Sequence, residues 1–139
     1  MPEAASKAFT ERAITVRKAG MISIVDSMVA FATSEKTKSQ NPIAVAAIRC
    51  LMMGQDPEGY AKGCAAIAGD VRDIDLEKVK ADTLIITGDE DRPSSPETCR
   101  KYVEGIDSSK LVILDGVGHW HLFEDVEGVA GAVKPFLLG

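Results

Sequence analysis

The 139-residue chain has no apolar run near the ~20 residues that a helix needs to cross a bilayer. Its opening, Met1-Pro-Glu-Ala-Ala-Ser6, lacks the basic start and apolar stretch of a secretory signal. The cytoplasm is therefore the expected compartment, and no membrane is expected as a partner. Positive charge is also in short supply, with 16 Lys and Arg against 21 Asp and Glu, a formal net charge of -5 and a pI near 5.0. Binding to nucleic acid or anionic lipid requires a cationic patch, so neither is expected. Cysteines do not come in pairs: Cys50, Cys64 and Cys99 are odd in number and widely spaced. Each falls in a helix-like pattern, where a thiol acts as a small buried hydrophobe, and all three read as reduced and structural. The H-E-x-x-H and cysteine-pair spacings of zinc sites are missing too, so a metal held by His119, His121 and nearby acids rests on ligand chemistry alone.

What is present suits one soluble globular domain with one core: 45% of residues are hydrophobic and the mean hydropathy is +0.02. Residues 1 to 80 show apolar positions recurring every three or four residues, which predicts a block of helices. A first helix is expected over Ala4 to Lys18 with Ala8, Ala13, Ile14 and Val16 inward, ending at Gly20. A second starts near Met21 and carries Ile22, Ile24, Val25, Met28, Val29 and Phe31 on a broad apolar face, and the polar run Thr33 to Gln40 closes it. Asn41-Pro42 and Asp56-Pro57 each pair a capping side chain with a proline at the first helical position. They open a third helix with Ala44, Val45, Ile48, Leu51 and Met52, and a fourth with Tyr60, Cys64, Ala65 and Ile67.

From Asp82 the period changes. Thr83 to Thr87 is a short β-branched run bounded by Gly88, as in a strand covered on both faces. Ser95-Pro96 opens a helix that stops at Gly105, Leu111 to Leu114 forms a second strand, and a last helix runs from about Val126 to Leu137. A strand, helix and strand in that order make a parallel crossover. The expected fold class is α/β, divided into a helical part at 1–80 and a β-α-β-α part at 81–139.

Open α/β sheets gather ligands and catalytic groups beyond the carboxyl ends of their strands. Two loops fall there: Gly88-Asp-Glu-Asp91 and Gly116-Val-Gly-His119. A carboxylate that accepts a hydrogen bond from one imidazole nitrogen fixes the ring's tautomer and leaves the other nitrogen to move a substrate proton. Asp91 and His119 fit those roles. Asp89 and Glu90 compete for the acid's place, and spacing cannot choose among three neighbouring carboxylates, whose ordinary role is solvated surface charge. His121 should point elsewhere, and Trp120 lines a pocket or fills core.

These loops resemble those of the α/β-hydrolase superfamily. Arg12-Ala-Ile-Thr-Val-Arg17, Gly20-Met21, Ile24-Val-Asp26 and Asp56-Pro-Glu-Gly-Tyr-Ala-Lys-Gly-Cys-Ala-Ala-Ile67 are similar to the cap of 3-oxoadipate enol-lactonases. The resemblance implies a partial α/β-hydrolase fold, with a helical cap followed by the last two parallel strands, their crossover and C-terminal helices. It implies Asp91 as the acid and His119 as the base of a Ser-Asp-His triad, and hydrolysis of a small ester or lactone without a cofactor. The triad runs in chain order serine, acid, histidine. No serine here stands in a G-x-S-x-G turn; Ser6, Ser23, Ser27, Ser34 and Ser39 lie in helical or linker patterns. The chain is therefore expected to be inactive alone, lacking nucleophile and oxyanion hole. Its bare strand edge, Leu84-Ile85-Ile86, invites a homo-oligomer or an N-terminal hydrolase half as partner. A non-catalytic, self-associating or protein-binding domain with the same architecture is the alternative; a complete enzyme built on Cys99 or a metal has no spacing in its support.

Overall fold

The computed structural model describes residues 3–69 and 74–139. Local chemistry sets most of its helices. Helix α1 (Glu3–Ala19) ends at Gly20, whose φ of 73° lies in the left-handed region that glycine tolerates, with its N–H bonded to the Val16 carbonyl at 2.8 Å. A 3-10 turn (Met21–Ser23) leads into α2 (Val25–Ala32). The run expected to be a polar break forms a further helix, α3 (Glu35–Gln40). Ser34 caps it, its Oγ accepting the Thr37 N–H at 3.1 Å. Helices α4 (Pro42–Met53) and α5 (Pro57–Ala68) open as the sequence indicates: Asn41 Oδ1 accepts the Ala44 N–H at 3.0 Å, and Asp56 Oδ1 accepts the Gly59 N–H at 2.6 Å.

A 3-10 turn (Leu76–Lys78) precedes strand β1 (Thr83–Gly88), helix α6 (Pro96–Gly105) and strand β2 (Ser109–Leu114). The strands are parallel, pairing from Thr83 with Ser109 to Gly88 with Leu114. The short helix α7 (His121–Glu124), which periodicity does not reveal, is followed by α8 (Val126–Leu138). A crossover β-α-β with a closing helix is the partial α/β architecture expected.

Two compact units emerge: Met1–Val29 with Arg49–Ile74, and Ala30–Ile48 with Asp75–Gly139. They cut across a division at residue 80, because residues 30–48 belong with the strands. In the first unit α1 packs on α5 through small side chains, with Ala13, Ala61 and Cys64 buried together and Phe9 and Tyr60 flanking them. Small residues let two backbones approach closely and still fill the space between them. The inward faces are narrower than the periodicity suggests. Ala8, Ile14 and Ile22 are exposed, as are Leu51 and Ile67, and so is Cys50, which is not the buried thiol expected.

In the second unit Phe31 is also exposed, beneath the Arg92 guanidinium at 5.8 Å from the ring centre. Among the described residues β1 is not covered on both faces: Thr83 to Ile86 are half-buried. An open groove of about 460 Å³, lined by Leu84, Leu111, Val112, Pro135 and Phe136 among others, runs between the strands and α8. No described helix is long and apolar enough to cross a membrane.

Candidate active site

The parallel register places the ends of β1 and β2 side by side, and the two following loops are locked together. The Asp89 N–H donates to the Leu114 carbonyl at 3.0 Å, and the Glu90 N–H donates to the Val117 carbonyl at 3.0 Å. Gly88 is required at this junction, since a Cβ there would overlap the Val117 carbonyl.

On this frame the structure brings Asp91 and His119 together. The Asp91 side chain is fully buried, and both of its oxygens lie 3.1 Å from His119 Nδ1. Asp91 Oδ1 also accepts the Ser94 N–H at 2.7 Å, which fixes the carboxylate from its own loop. Behind it Thr87, fully buried, donates its hydroxyl to the Ser94 carbonyl at 2.9 Å and so shapes the same turn. The His119 N–H donates to the Ala32 carbonyl at 2.8 Å, which holds the backbone while the ring stays about one-third exposed. A buried carboxylate on Nδ1 leaves Nε2 as the nitrogen that can take up and release a proton.

The competing acids have other partners, so neither is merely solvated charge. Asp89 Oδ1 accepts the Val117 N–H at 3.2 Å, and Glu90 Oε2 accepts the Glu35 N–H at 2.9 Å at the start of α3. Of the three neighbouring carboxylates, the one buried against the ring is Asp91.

His121 does not point elsewhere. Its Nε2 lies 3.3 Å from Asp91 Oδ2, and the two imidazole centres are 6.1 Å apart. Trp120, with φ -94° and ψ 50°, is not extended, and α7 begins at His121 itself. Burial lowers the His121 pKa below its ordinary value of 6.5, the nearby Asp91 charge opposes this, and His119 adds to it. The Trp120 Nε1 is buried with no partner among the described residues.

Glu124 carries no motif in the sequence, yet it organises the histidine loop. Its Oε2 accepts the Ser34 N–H at 2.9 Å and the Gly118 N–H at 3.0 Å, and its Oε1 accepts the Trp120 N–H at 3.0 Å. Burial raises its pKa, but these backbone donors outweigh that and hold it below the ordinary 4.5. Cys99 is buried in α6 with its Sγ 3.5 Å from the Ser94 carbonyl. Among the described residues no group of three or more His, Cys, Asp or Glu side chains is placed to hold a metal ion.

No family profile matches the chain. Over 62 residues, 45% of this chain and 21% of the relative, it is 36% identical to the 2-hydroxy-6-oxo-6-(2'-aminophenyl)hexa-2,4-dienoic acid hydrolase of Metapseudomonas resinovorans. Among solved structures it is similar to a thermophilic esterase from Thermogutta terrifontis, with TM-score 0.91 and 26% identity over 99% of this chain and 51% of that one. It is likewise similar to the enol-lactonase from Burkholderia xenovorans LB400, with TM-score 0.86 and 26% identity over 96% of this chain and 51% of that one. The chain thus spans about half the length of these solved structures.

Proposed function

We propose, for a chain that carries part of the α/β-hydrolase fold, that Asp91 and His119 are the acid and the base of a Ser-Asp-His triad acting on lactone or carboxylic ester bonds. The observation that carries this reading is the buried Asp91 carboxylate lying 3.1 Å from His119 Nδ1 at the carboxyl ends of two parallel strands. The carboxylate holds the ring with its proton on Nδ1. His119 Nε2 then takes the proton of an attacking hydroxyl as the acyl carbon turns tetrahedral, and gives it to the leaving alkoxide as the carbonyl re-forms. Water repeats the cycle to release the acid. Asp91 stabilises the imidazolium formed in each half-reaction without taking its proton.

The attacking serine and the oxyanion-hole donors belong, in this proposal, to a polypeptide segment outside these 139 residues, and the chain alone is inactive. That segment is an N-terminal hydrolase half, which would add a strand beside β1. The likeness to an enol-lactonase and an esterase supports lactones and esters as the substrate class. The test supplies that half from a related hydrolase and follows hydrolysis of a p-nitrophenyl ester. Reconstituted activity that falls roughly 10⁴-fold in His119→Ala is expected; equal activity in that variant would overturn the proposal.

A second reading has one observation in its favour. Among the described residues the sheet has two strands and an open apolar groove beside α8. A self-associating or protein-binding domain without catalysis would use such a surface. It predicts an oligomer in light scattering and no hydrolysis from any reconstituted pair.

A further inference from the structure

The chain has two histidines, and both reach one carboxylate. That arrangement exceeds what a triad needs, because a single imidazole suffices to relay the proton. His121 Nε2 is buried and lies 3.3 Å from Asp91 Oδ2, off the line of a well-formed hydrogen bond, and has no other partner among the described residues. Buried ring nitrogens are rarely left without a partner. At that separation a bare nitrogen lone pair would face the lone pairs of an anion and be repelled, whereas an N–H would be attracted. The carboxylate therefore dictates the tautomer of the second ring as it does of the first, but through the opposite nitrogen.

We propose that His121 is a positioning residue for the Asp91–His119 pair: held as the neutral Nε2–H tautomer, it pins Asp91 Oδ2 while the Ser94 N–H pins Oδ1, and a proton on either ring opposes a proton on the other. The consequence is mechanical and electrostatic. The Ser94 N–H holds Oδ1 and the Thr87 hydroxyl lies 3.4 Å from Oδ2, so His121 adds a second contact on Oδ2 that keeps the carboxylate plane toward His119. With His121 neutral, the negative charge of Asp91 remains available for the imidazolium that forms on His119. The charged or titratable groups facing His121 are Asp91 after β1, His119 after β2 and Glu124 on its own helix. Asp91 and Glu124 favour a charged ring, while burial, the largest influence, and His119 favour a neutral one. This deepens the hydrolase reading and rests on it for the catalytic consequence, although the coupling of the rings can be read without turnover.

The test is nitrogen-15 NMR of the 139-residue chain, in which two histidines give two ring systems that His121→Gln assigns. At alkaline pH the expected pattern is an Nε2–H tautomer for His121. On titration, His119→Gln and His119→Phe should each raise the His121 midpoint, and Asp91→Asn should lower it. A side chain that merely filled space would show none of these shifts. An Nδ1–H tautomer for His121, or a midpoint unmoved by every substitution, would overturn the proposal. A reconstituted hydrolase that stays inactive while the rings remain coupled would sink the hydrolase reading alone; an active one with uncoupled rings would sink this proposal alone.

Discussion

The Glu124 carboxylate accepts the Gly118 N–H at 3.0 Å, one residue before His119. The same side chain gathers the Ser34 and Trp120 N–H groups, so one anion satisfies three part-buried backbone donors on two segments. Hydrogen bonds to charged groups contribute about 1.5–3 kcal/mol each, and donors left unsatisfied carry a desolvation cost. Glu124→Ala is expected to destabilise the chain by about 3 kcal/mol in urea unfolding, and Glu124→Gln by less, because an amide keeps one acceptor. A loss below about 1 kcal/mol for the alanine variant would contradict this role.

Gly88 tests the junction of the two loops. Any side chain there overlaps the Val117 carbonyl, and backbone cannot move aside as a flexible side chain can. Gly88→Ala should cost about 3 kcal/mol of stability and broaden the ring signals of His119 in NMR spectra. An unperturbed spectrum would show that the loops have room to separate.

Acid should weaken the fold in two stages. The His121 pKa lies below its ordinary 6.5, so as pH falls through that value the unfolded chain takes a proton that the folded chain refuses, and stability declines until the folded ring protonates. The Glu124 pKa lies below its ordinary 4.5; its contribution is complete above that value and is lost as pH falls through the lower folded one. Calorimetry across this range should show Tm falling in both windows, with the upper decline absent in His121→Gln. A Tm that rises between about pH 7 and pH 5 would run against the sign derived.

The helix caps give a milder prediction in the first unit. Asp56→Ala removes the acceptor of the Gly59 N–H at the start of α5 and should cost about 1 kcal/mol. Asp56→Ser should recover most of that, and equal stability in all three proteins would mean the cap is idle.

Helix openings were legible because capping is local: Asn41-Pro42, Asp56-Pro57 and Ser95-Pro96 each carry their own partner within three residues. The β-α-β order was legible from the change in period, and with it the meeting of Asp91 and His119. The inward faces were less so. Periodicity locates a stripe but not its width, and Ile14, Leu51 and Ile67 lie on its outer side. The roles of Asp89, Glu90 and Glu124 are not legible, because their partners are backbone N–H groups, which carry no sequence signature. The approach of His121 to Asp91 depends on the bent backbone at Trp120 and on α7, neither of which leaves a period in the sequence.

The pairing of Gly88 with Leu114 has a further consequence for how this chemistry can vary. The gap between acid and imidazole is inherited from the gauge of the sheet, about 4.8 Å between neighbouring strands, and not from the length of chain joining them. Helix α6 could gain or lose a turn and leave the pair in place. A slip of one strand by a single residue would part them, however faithfully every side chain were kept.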